Sequence, residues 1–594
     1  MTNCLHFLGS FDHAWVIDFE YNAPDGECPT PFCGVGYCIK TQETRVWRSD
    51  VPGSPMPYTT GHKDLVICYS ATAEGSCILA LGWPWPTHTL DLLPCYKMIR
   101  NRFQSSIRHP SLIKAAAYFN INAMDKVTKE TGRSLALGSK TLAERQMEHL
   151  IHYCSKDVCI TTQLLEKMLP QIALKPSLFL GRYILRAVST MERNGIPLDI
   201  ELLRRLKSKW EPLRRIIIEK VDAEYNVYNG THFSFQKFHA YLRRQGIPWP
   251  RTPKGKLQTN DAAFEALAES YPQLSLLKEL RRTLSSLTEI KLDIGSDGRN
   301  RTHLFPLNSR TSRNQPSSNR CILGNSKWMR QLITPPKSKA IINVDYSQQE
   351  FLIAAVLSRD SNMLKAYRSG DPYLHTAILS GAAPPGATKE SHPNLRDKYK
   401  TLVLSVQYGC GVKALGGKVG GESLAAKLLA DHKKAYPDYW EWSQRVVAKA
   451  AAYQPLKTIL GWEIRSDPLA WKSGLIEEKR KLNERSVINW PVQSTGADIL
   501  RMATLMAIEQ GLQVIATQHD SITVMCDESS ADDTKVQLEK CMQQASMALL
   551  HGEVLRTESK TIFEGERFSD PDGEKMFETV MSSLALLEGF DHAY

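Results

Sequence analysis

A-I-I-N-V-D-Y-S-Q-Q-E-F-L-I-A-A-V-L-S-R-D, running from Ala340 to Asp360, is the stretch on which the reading of this chain turns. Ala340 to Val344 is a short, mostly apolar, β-branched run of the kind that forms a buried strand, and Phe351 to Leu357 is an apolar block suited to a helix packed on it. Asp345 therefore falls at the strand's end, where rigid backbone can hold a carboxylate toward a divalent cation. Glu350 follows within about one helical turn of the helix start. Taken alone, an Asp after an apolar strand is more often a turn or helix-capping residue, so the rest of the chain must decide.

With 594 residues the chain exceeds what one core usually serves, and two to four domains are expected. Hydrophobic residues at 42% and charged residues at 23% fit a globular enzyme and exclude disorder. The net charge of +11 is a modest excess that makes nucleic acid the first partner to test. Thirteen cysteines, an odd count, with no secretory n-region or apolar h-region at Met1-Thr2-Asn3-Cys4, read as reduced cytosolic thiols. Cys28, Cys33 and Cys38 lack the close pairs of a zinc site. No segment has the length of a membrane span.

At the front, Ala14 to Ile17 is strand-like and leads into Asp18, Phe19 and Glu20. Residues two apart on a strand share a face, so the two carboxylates can share a cation. Leu150 to Met168 reads as a helix on which Tyr153 and Asp157, four apart, also share a face. In this order the elements resemble a 3′-5′ proofreading exonuclease domain of the DEDD type with tyrosine. The resemblance implies an RNase H-like domain over residues 1–175 in which four carboxylates bind two divalent metals. Asp18, Glu20 and Asp157 would be ligands, and Tyr153 would position the attacking water. The family's second motif, Asn-x-x-x-Asp, is replaced here by Ser70 and Glu74. Glu can ligate a metal, but its extra methylene moves the charge by about a bond length in a site that tolerates roughly 0.5 Å. Asp91 in T-L-D-L-L is a second candidate, with an ordinary reading as a strand-end or turn residue.

From Leu178 to about Glu289 the pattern is helical and rich in Arg and Lys. Gly195 suits a helix C-cap and Asp199 an N-cap, placing a boundary near residues 175 to 195. Residues 295 to 320 are polar and read as loop.

D-Y-S-Q-Q-E now closely resembles the D-Y-S-Q-x-E motif of the DNA polymerase I family, or family A, in a phage-type form without a leading 5′-nuclease domain. In that family the Asp binds both catalytic metals and the Glu helps exclude a ribose 2′-OH. After Pro384 to Gly386, Arg396, Lys400, Leu404 and Tyr408 recur every four residues along one helical face. That face is cationic at its start and aromatic at its end, as a polyphosphate site requires, although a solvated amphipathic face has the same pattern. The spacing resembles the family's fingers helix, which implies that Arg396 and Lys400 hold the incoming triphosphate and Tyr408 supports the sugar gate with Glu350. Lys400 would also protonate the leaving group, and His375 would add a phosphate contact. Leu404 departs from the Phe or Tyr of many members and cannot stack as a ring does.

L-Q-V-I-A-T-Q-H-D-S-I-T-V-M-C places His519 and Asp520 between two β-branched runs, a hairpin with the carboxylate at its tip. Asp520 matches the second metal ligand of the family. Ser521 stands where members often have Glu, so a third carboxylate is absent there. E-R-S-V-I-N-W-P-V-Q resembles the primer-template segment, implying DNA contacts by Arg485, Asn489 and Gln493, with His519, Arg310 and Asn319 beside them. Amide side chains can meet minor-groove acceptors common to every base pair.

The reading is an α/β protein: the exonuclease domain, then a right-hand polymerase over residues 176–594. The thumb is expected at about 195–295, the palm at about 296–360 and 485–594, and the fingers at about 361–484. The resemblance implies two Mg²⁺ per active site, with Mn²⁺ as a substitute, and primer-template DNA and dNTPs as ligands. A single-strand-binding protein or processivity factor is a further expected partner of a cytoplasmic monomer in a bacterium or phage-infected host. A polymerase with a silent exonuclease, a single-subunit RNA polymerase and a non-catalytic DNA-binding module are the competing readings; Glu350 and the intact Asp345/Asp520 pair argue against the last two.

Overall fold

Alternation along the first strand organises the front of the molecule. In β1 (His13–Asn22), Ala14 and Val16 point to one side and Trp15, Ile17 and Phe19 to the other, and all five are buried. β1 is the middle of a five-stranded sheet with β2 (Thr30–Cys38), β3 (Thr44–Arg48), β4 (Asp64–Cys68) and β5 (His88–Asp91), in the order β3-β2-β1-β4-β5. β2 runs antiparallel to both neighbours, whereas β4 is parallel to β1 and to β5. The computed structural model describes residues 8–100, 110–122, 142–252, 255–268, 271–288, 291–309, 311–316, 319–465 and 484–589.

Helices cover both faces of this sheet. α1 (Thr72–Leu81) lies on the side of Trp15, Ile17 and Phe19, and α2 (Glu144–Met168) on the side of Ala14 and Val16. Asp18 and Glu20 share the parity of Ala14 and Val16, so they face α2. The chain leaves through α3 (Leu174–Arg182), a π-helical turn at Tyr183–Val188 and α4 (Ser189–Asn194). Gly195, at φ 60°, ends this run, and Asp199 caps the next helix by accepting from the Leu202 amide at 2.9 Å, as the sequence predicts.

A second core gathers Leu213, Ile217 and Val221 of α5 (Trp210–Tyr225) with Leu277 and Leu280 of α6 (Ser275–Thr288). The decisive strand, β6 (Lys339–Tyr346), leads into α7 (Gln349–Ser358), one or two residues longer at each end than the apolar runs suggest. Next come α8 (Pro372–Leu379), α9 (Pro393–Gln407) and α10 (Glu484–Glu509), the last continuing through Pro491. β7 (Gln513–Gln518), β8 (Ser521–Asp527) and β9 (Thr557–Ile562) complete a second sheet, antiparallel throughout, in the order β7-β8-β6-β9. α11 (Pro571–Glu588), in a segment without a legible sequence signal, adds Val580 and Leu584 to the core of α5 and α6. Its ends are tied by ion pairs: Glu588 to Arg205 and Lys209, Asp570 to Arg330 and Asp572 to Lys327.

α10 also fixes the polar loop before β6. Arg501, buried and paired with buried Asp498, donates to the Ser312 carbonyl at 2.6 Å and to Ser312 Oγ at 3.1 Å. Those extra hydrogen bonds offset part of what burying the pair costs.

The front sheet meets the rest through a close helix crossing. A Cβ at Gly75 of α1 would stand 2.2 Å from both the Leu185 carbonyl and Ser189 Oγ. Gly75→Ala is expected to destabilise the protein by about 1–3 kcal/mol, as overpacking does. Urea denaturation measures it, and wild-type stability would mean that the crossing can open without cost.

Candidate active sites

Strand pairing brings Asp345 and Asp520 together across 175 residues of sequence. Asp345, near the end of β6, is directly opposite Ser521, the first residue of β8. His519 and Asp520 form the two-residue turn between β7 and β8, with His519 in the left-handed region at φ 54°. That conformation costs a non-glycine residue on the order of 1 kcal/mol, and the Asp520 carbonyl accepts from the Tyr346 amide at 3.3 Å. The carboxyl groups of Asp345 and Asp520 act on each other directly. Burial, then the neighbouring Asp345 charge, pushes Asp520 up to about 7, and burial raises Asp345 too. Two oxygen donors that repel each other at neutral pH are a donor set suited to a hard divalent cation.

Beside this pair lies a hydrogen-bonded group that links three elements. Tyr408, at the end of α9, donates to Glu350 Oε1 of α7 at 3.1 Å; Gln493 of α10 donates to the same oxygen at 3.1 Å and reaches the Tyr408 hydroxyl at 3.3 Å. Asn489 Nδ2 lies 3.5 Å from Glu350 Oε2. Burial and the Glu350 charge push the Tyr408 phenol up to about 12, so it stays protonated and donates. The pairing of Glu350 with Tyr408 follows the sequence reading. The sequence reading makes Asn489 and Gln493 DNA contacts, whereas here they brace Glu350.

α9 presents Lys400, Leu404 and Tyr408 on its exposed face, while Tyr399, Leu402, Val403 and Val406 are buried behind them. Arg396 does not stand open with Lys400. It pairs with Asp371, the N-cap of α8, and its guanidinium lies 5.5 Å from the Tyr373 ring centre. His375 on α8 is half-buried, which lowers its pKa and keeps it neutral near pH 7.

A cleft of about 620 Å³ lies beside His519, between the second sheet and the α6 region, lined in part by Arg282, Arg313, Lys327 and Arg330. Burial lowers the His519 pKa, and the Arg313 charge lowers it further. Arg313 is the residue that sequence reasoning missed. Its charge acts on Asp520, His519 and Tyr408 at once. The signal was present as a second arginine three residues after Arg310 in N-S-R-T-S-R-N. Arg310 itself lies outside the described residues, as does the side chain of Arg485. Asn319 is on the surface.

At the front, Asp18, Glu20 and Asp157 converge so that one oxygen of each lies within 4.8 Å of the others. Tyr153, one turn before Asp157 on α2, is buried, and burial and Asp157 raise its pKa. The two candidates for the fourth carboxylate separate cleanly. Asp91 caps the helix that follows β5 and accepts from the amides of Ser70, Ala71 and Leu93 at 2.9–3.0 Å, which occupies both its oxygens with backbone. Glu74 is buried beside Asp18, and its Oε2 has no hydrogen-bond partner. Burial and then the Asp18 charge raise its pKa well above the carboxylate range. An orphaned buried carboxylate oxygen beside Asp18, itself one of the three converging carboxylates, fits a cation site.

The pattern of DNA polymerase family A matches residues 201–556, which include Asp345, Glu350, Tyr408 and Asp520 but not the front carboxylates, and the chain belongs to that family. Among its relatives, DNA polymerase I of Aquifex aeolicus is 26% identical over 395 residues, covering 63% of this chain and 64% of that protein. The thermostable DNA polymerase I of Thermus filiformis is 25% identical over 387 residues, 61% of this chain and 45% of that one. DNA polymerase theta of Caenorhabditis elegans is 24% identical over 482 residues, 76% and 28% respectively. The matches thus span less than two thirds of the relatives' own lengths. The fold is similar to that of the POL domain of Pol1 from M. smegmatis, solved with DNA primer-template and dNTP. The TM-score is 0.67 at 18% identity, covering 96% of this chain and 97% of that one. No helix among the described residues is long and apolar enough to cross a membrane.

The raised pKa of Asp520 makes a prediction about stability. A carboxyl that titrates near 4 in the unfolded chain and at about 7 in the folded one keeps its proton longer when folded. Stability without metal therefore falls as pH rises from about 4 to about 7. Asp520→Asn removes this penalty and is expected to gain on the order of 2 kcal/mol over wild type at pH 8, and little at pH 4. Urea unfolding in EDTA at the two pH values checks it; a pH-independent difference would contradict the shift.

Proposed function

We propose that this chain is a template-directed DNA polymerase that adds dNTPs to a primer 3′ end, with a 3′-5′ exonuclease in its front domain. The observation that carries the reading is the meeting of Asp345 and Asp520, next in the chain to the His519 that lines a cleft with Arg282, Arg313, Lys327 and Arg330, in a member of family A. In this reading α5, α6 and their neighbours form the thumb, the second sheet the palm, α8 and α9 part of the fingers, and residues 1–175 an RNase H-like exonuclease domain.

Asp345 and Asp520 would hold two Mg²⁺ ions, which supply charge stabilisation and a more acidic primer 3′-hydroxyl. The rest is done by this chain's side chains. Lys400, exposed on the same face of α9 as Tyr408, can neutralise a phosphate or deliver a proton to the departing pyrophosphate. Arg396 joins it only by leaving Asp371, so the triphosphate has to compete with an ion pair. Glu350 is held at three points by Tyr408, Gln493 and Asn489, and a braced carboxylate cannot swing aside for a ribose 2′-hydroxyl. Arg313 sets the charge balance at Asp520 and His519. Leu404 offers the sugar an aliphatic surface in place of a ring.

In the front domain, Asp18, Glu20, Asp157 and Glu74 supply carboxylates for a second metal pair, and Tyr153 positions water. Its mixed strand order, with β2 alone reversed, supports the RNase H-like assignment.

Extension of a labelled primer-template tests the reading. Asp345→Ala is expected to lose extension by about 10³-fold or more while duplex binding persists; normal extension would overturn the assignment. Glu350→Ala is expected to narrow the preference for dNTPs over rNTPs by roughly 10- to 100-fold, and ribonucleotide preference in the wild type would favour an RNA polymerase instead. Without dNTPs the wild type is expected to shorten the primer and Glu74→Ala to lose that activity; absence of shortening in the wild type would mean a silent front domain.

A further inference from the structure

The palm-like sheet carries a carboxylate that the family pattern does not cover. Asp345 sits on β6, which has β8 on one side and β9 on the other. Its direct partner on β8 is Ser521, the position where the resemblance leads one to expect a third carboxylate. Its direct partner on β9 is Glu558. Residues directly opposite one another in antiparallel strands project from the same face, with Cβ atoms about 5 Å apart. Glu558 therefore flanks Asp345 at the same level as Ser521, from the other side. It lies two residues beyond the end of the family match at residue 556.

The local contacts fit a working side chain. Glu558 is exposed, yet its Oε1 is held by the Ser347 hydroxyl at 2.7 Å, from the turn that joins β6 to α7. Its charge is felt by Asp345, whose ionisation it opposes. Arg556, just before the strand, is engaged elsewhere: it donates to Gln348 Oε1 at 2.6 Å and to the Tyr367 carbonyl at 2.8 Å, while Lys560, two residues along β9, stands opposite Asn343, away from the Asp345 end. No ion pair joins Glu558 to a cation among the described residues, and its strand partner is Asp345.

We propose that Glu558 is the third carboxylate of the polymerase metal site, supplied from β9 in place of the one missing at Ser521. This rests on the polymerase reading above and concerns which residues of this chain hold the cation, through a direct or a water-mediated contact. A longer side chain reaching in from the neighbouring strand restores the charge that the serine omits. Carboxylates that support a metal site from its edge are worth roughly tenfold or more in metal affinity.

The experiment is a Mn²⁺ titration of the full chain bound to a primer-template ending in a dideoxynucleotide, followed by electron paramagnetic resonance of free Mn²⁺. It is run with Asp157→Ala as the common background so that the front carboxylates contribute less. Glu558→Gln is expected to raise the half-saturating Mn²⁺ concentration by roughly tenfold, and Ser521→Glu added to it to restore the original value. Ser347→Ala, which removes the partner of Glu558 but leaves the charge, should change it far less. If Glu558→Gln binds Mn²⁺ as its background does, or if Ser347→Ala has the same effect as Glu558→Gln, Glu558 is only a hydrogen-bond partner of the turn and the inference is wrong. If Asp345→Ala also leaves Mn²⁺ binding intact, it is the polymerase reading itself that fails.

Discussion

Two carboxyl groups that repel each other are held together here by backbone hydrogen bonds. Asp345 ends a strand and Asp520 sits in a hairpin turn, and neither could stay near the other if β6 and β8 slipped by one residue, because a slip reverses every side chain. The register is set by the apolar face beneath: Ile342, Val344, Ile522 and Val524 are fully buried. The hydrophobic core thereby pins a costly arrangement at its rim, and the cost appears as a carboxyl group that keeps its proton to about pH 7. A bound cation would remove that cost, so affinity for metal and strain in the free protein are two sides of one arrangement.

The elements around the pair derive their positions from α10. It supplies Asn489 and Gln493 to Glu350 near its start, and Arg501 to the Ser312 loop further along. That loop carries Arg313, which acts on Asp520. A single helix therefore sets both Glu350 and the cation whose charge reaches Asp520. Changes along α10 should be felt at both places, since rigid elements transmit displacement better than loops do.

Much of this was legible in the sequence, for definite reasons. Asp345, Glu350, Tyr408 and Asp520 occur in short-range patterns, a strand followed by a helix, a four-residue spacing, a hairpin, in which local periodicity places the side chain. Asp18, Glu20, Tyr153 and Asp157 were readable in the same way, and the structure gathers the three carboxylates. What could not be read were pairings between distant segments. Asp91 stayed a second candidate beside Glu74 until backbone amides were seen to occupy it, as its ordinary turn reading implies. Arg396 looked like an open cation because Asp371 lies 25 residues away in sequence. Arg313 and Glu558 depend on contacts across 200 residues or more, and no periodicity reports those.

The arrangement of the second sheet also has a consequence for synthesis on the ribosome. Its central strand is made first, but both neighbours, β8 and β9, emerge only after about 175 and 210 further residues. The front sheet, by contrast, is complete once β5 has appeared at residue 91. At roughly 5–20 residues per second, β6 waits some ten seconds or more with an apolar strand unpaired. Through that interval the nascent chain needs either a chaperone or temporary cover from its own neighbouring helices. α7 is the nearest, since Phe351, Leu352 and Ile353 emerge immediately behind the strand and share its core in the finished protein.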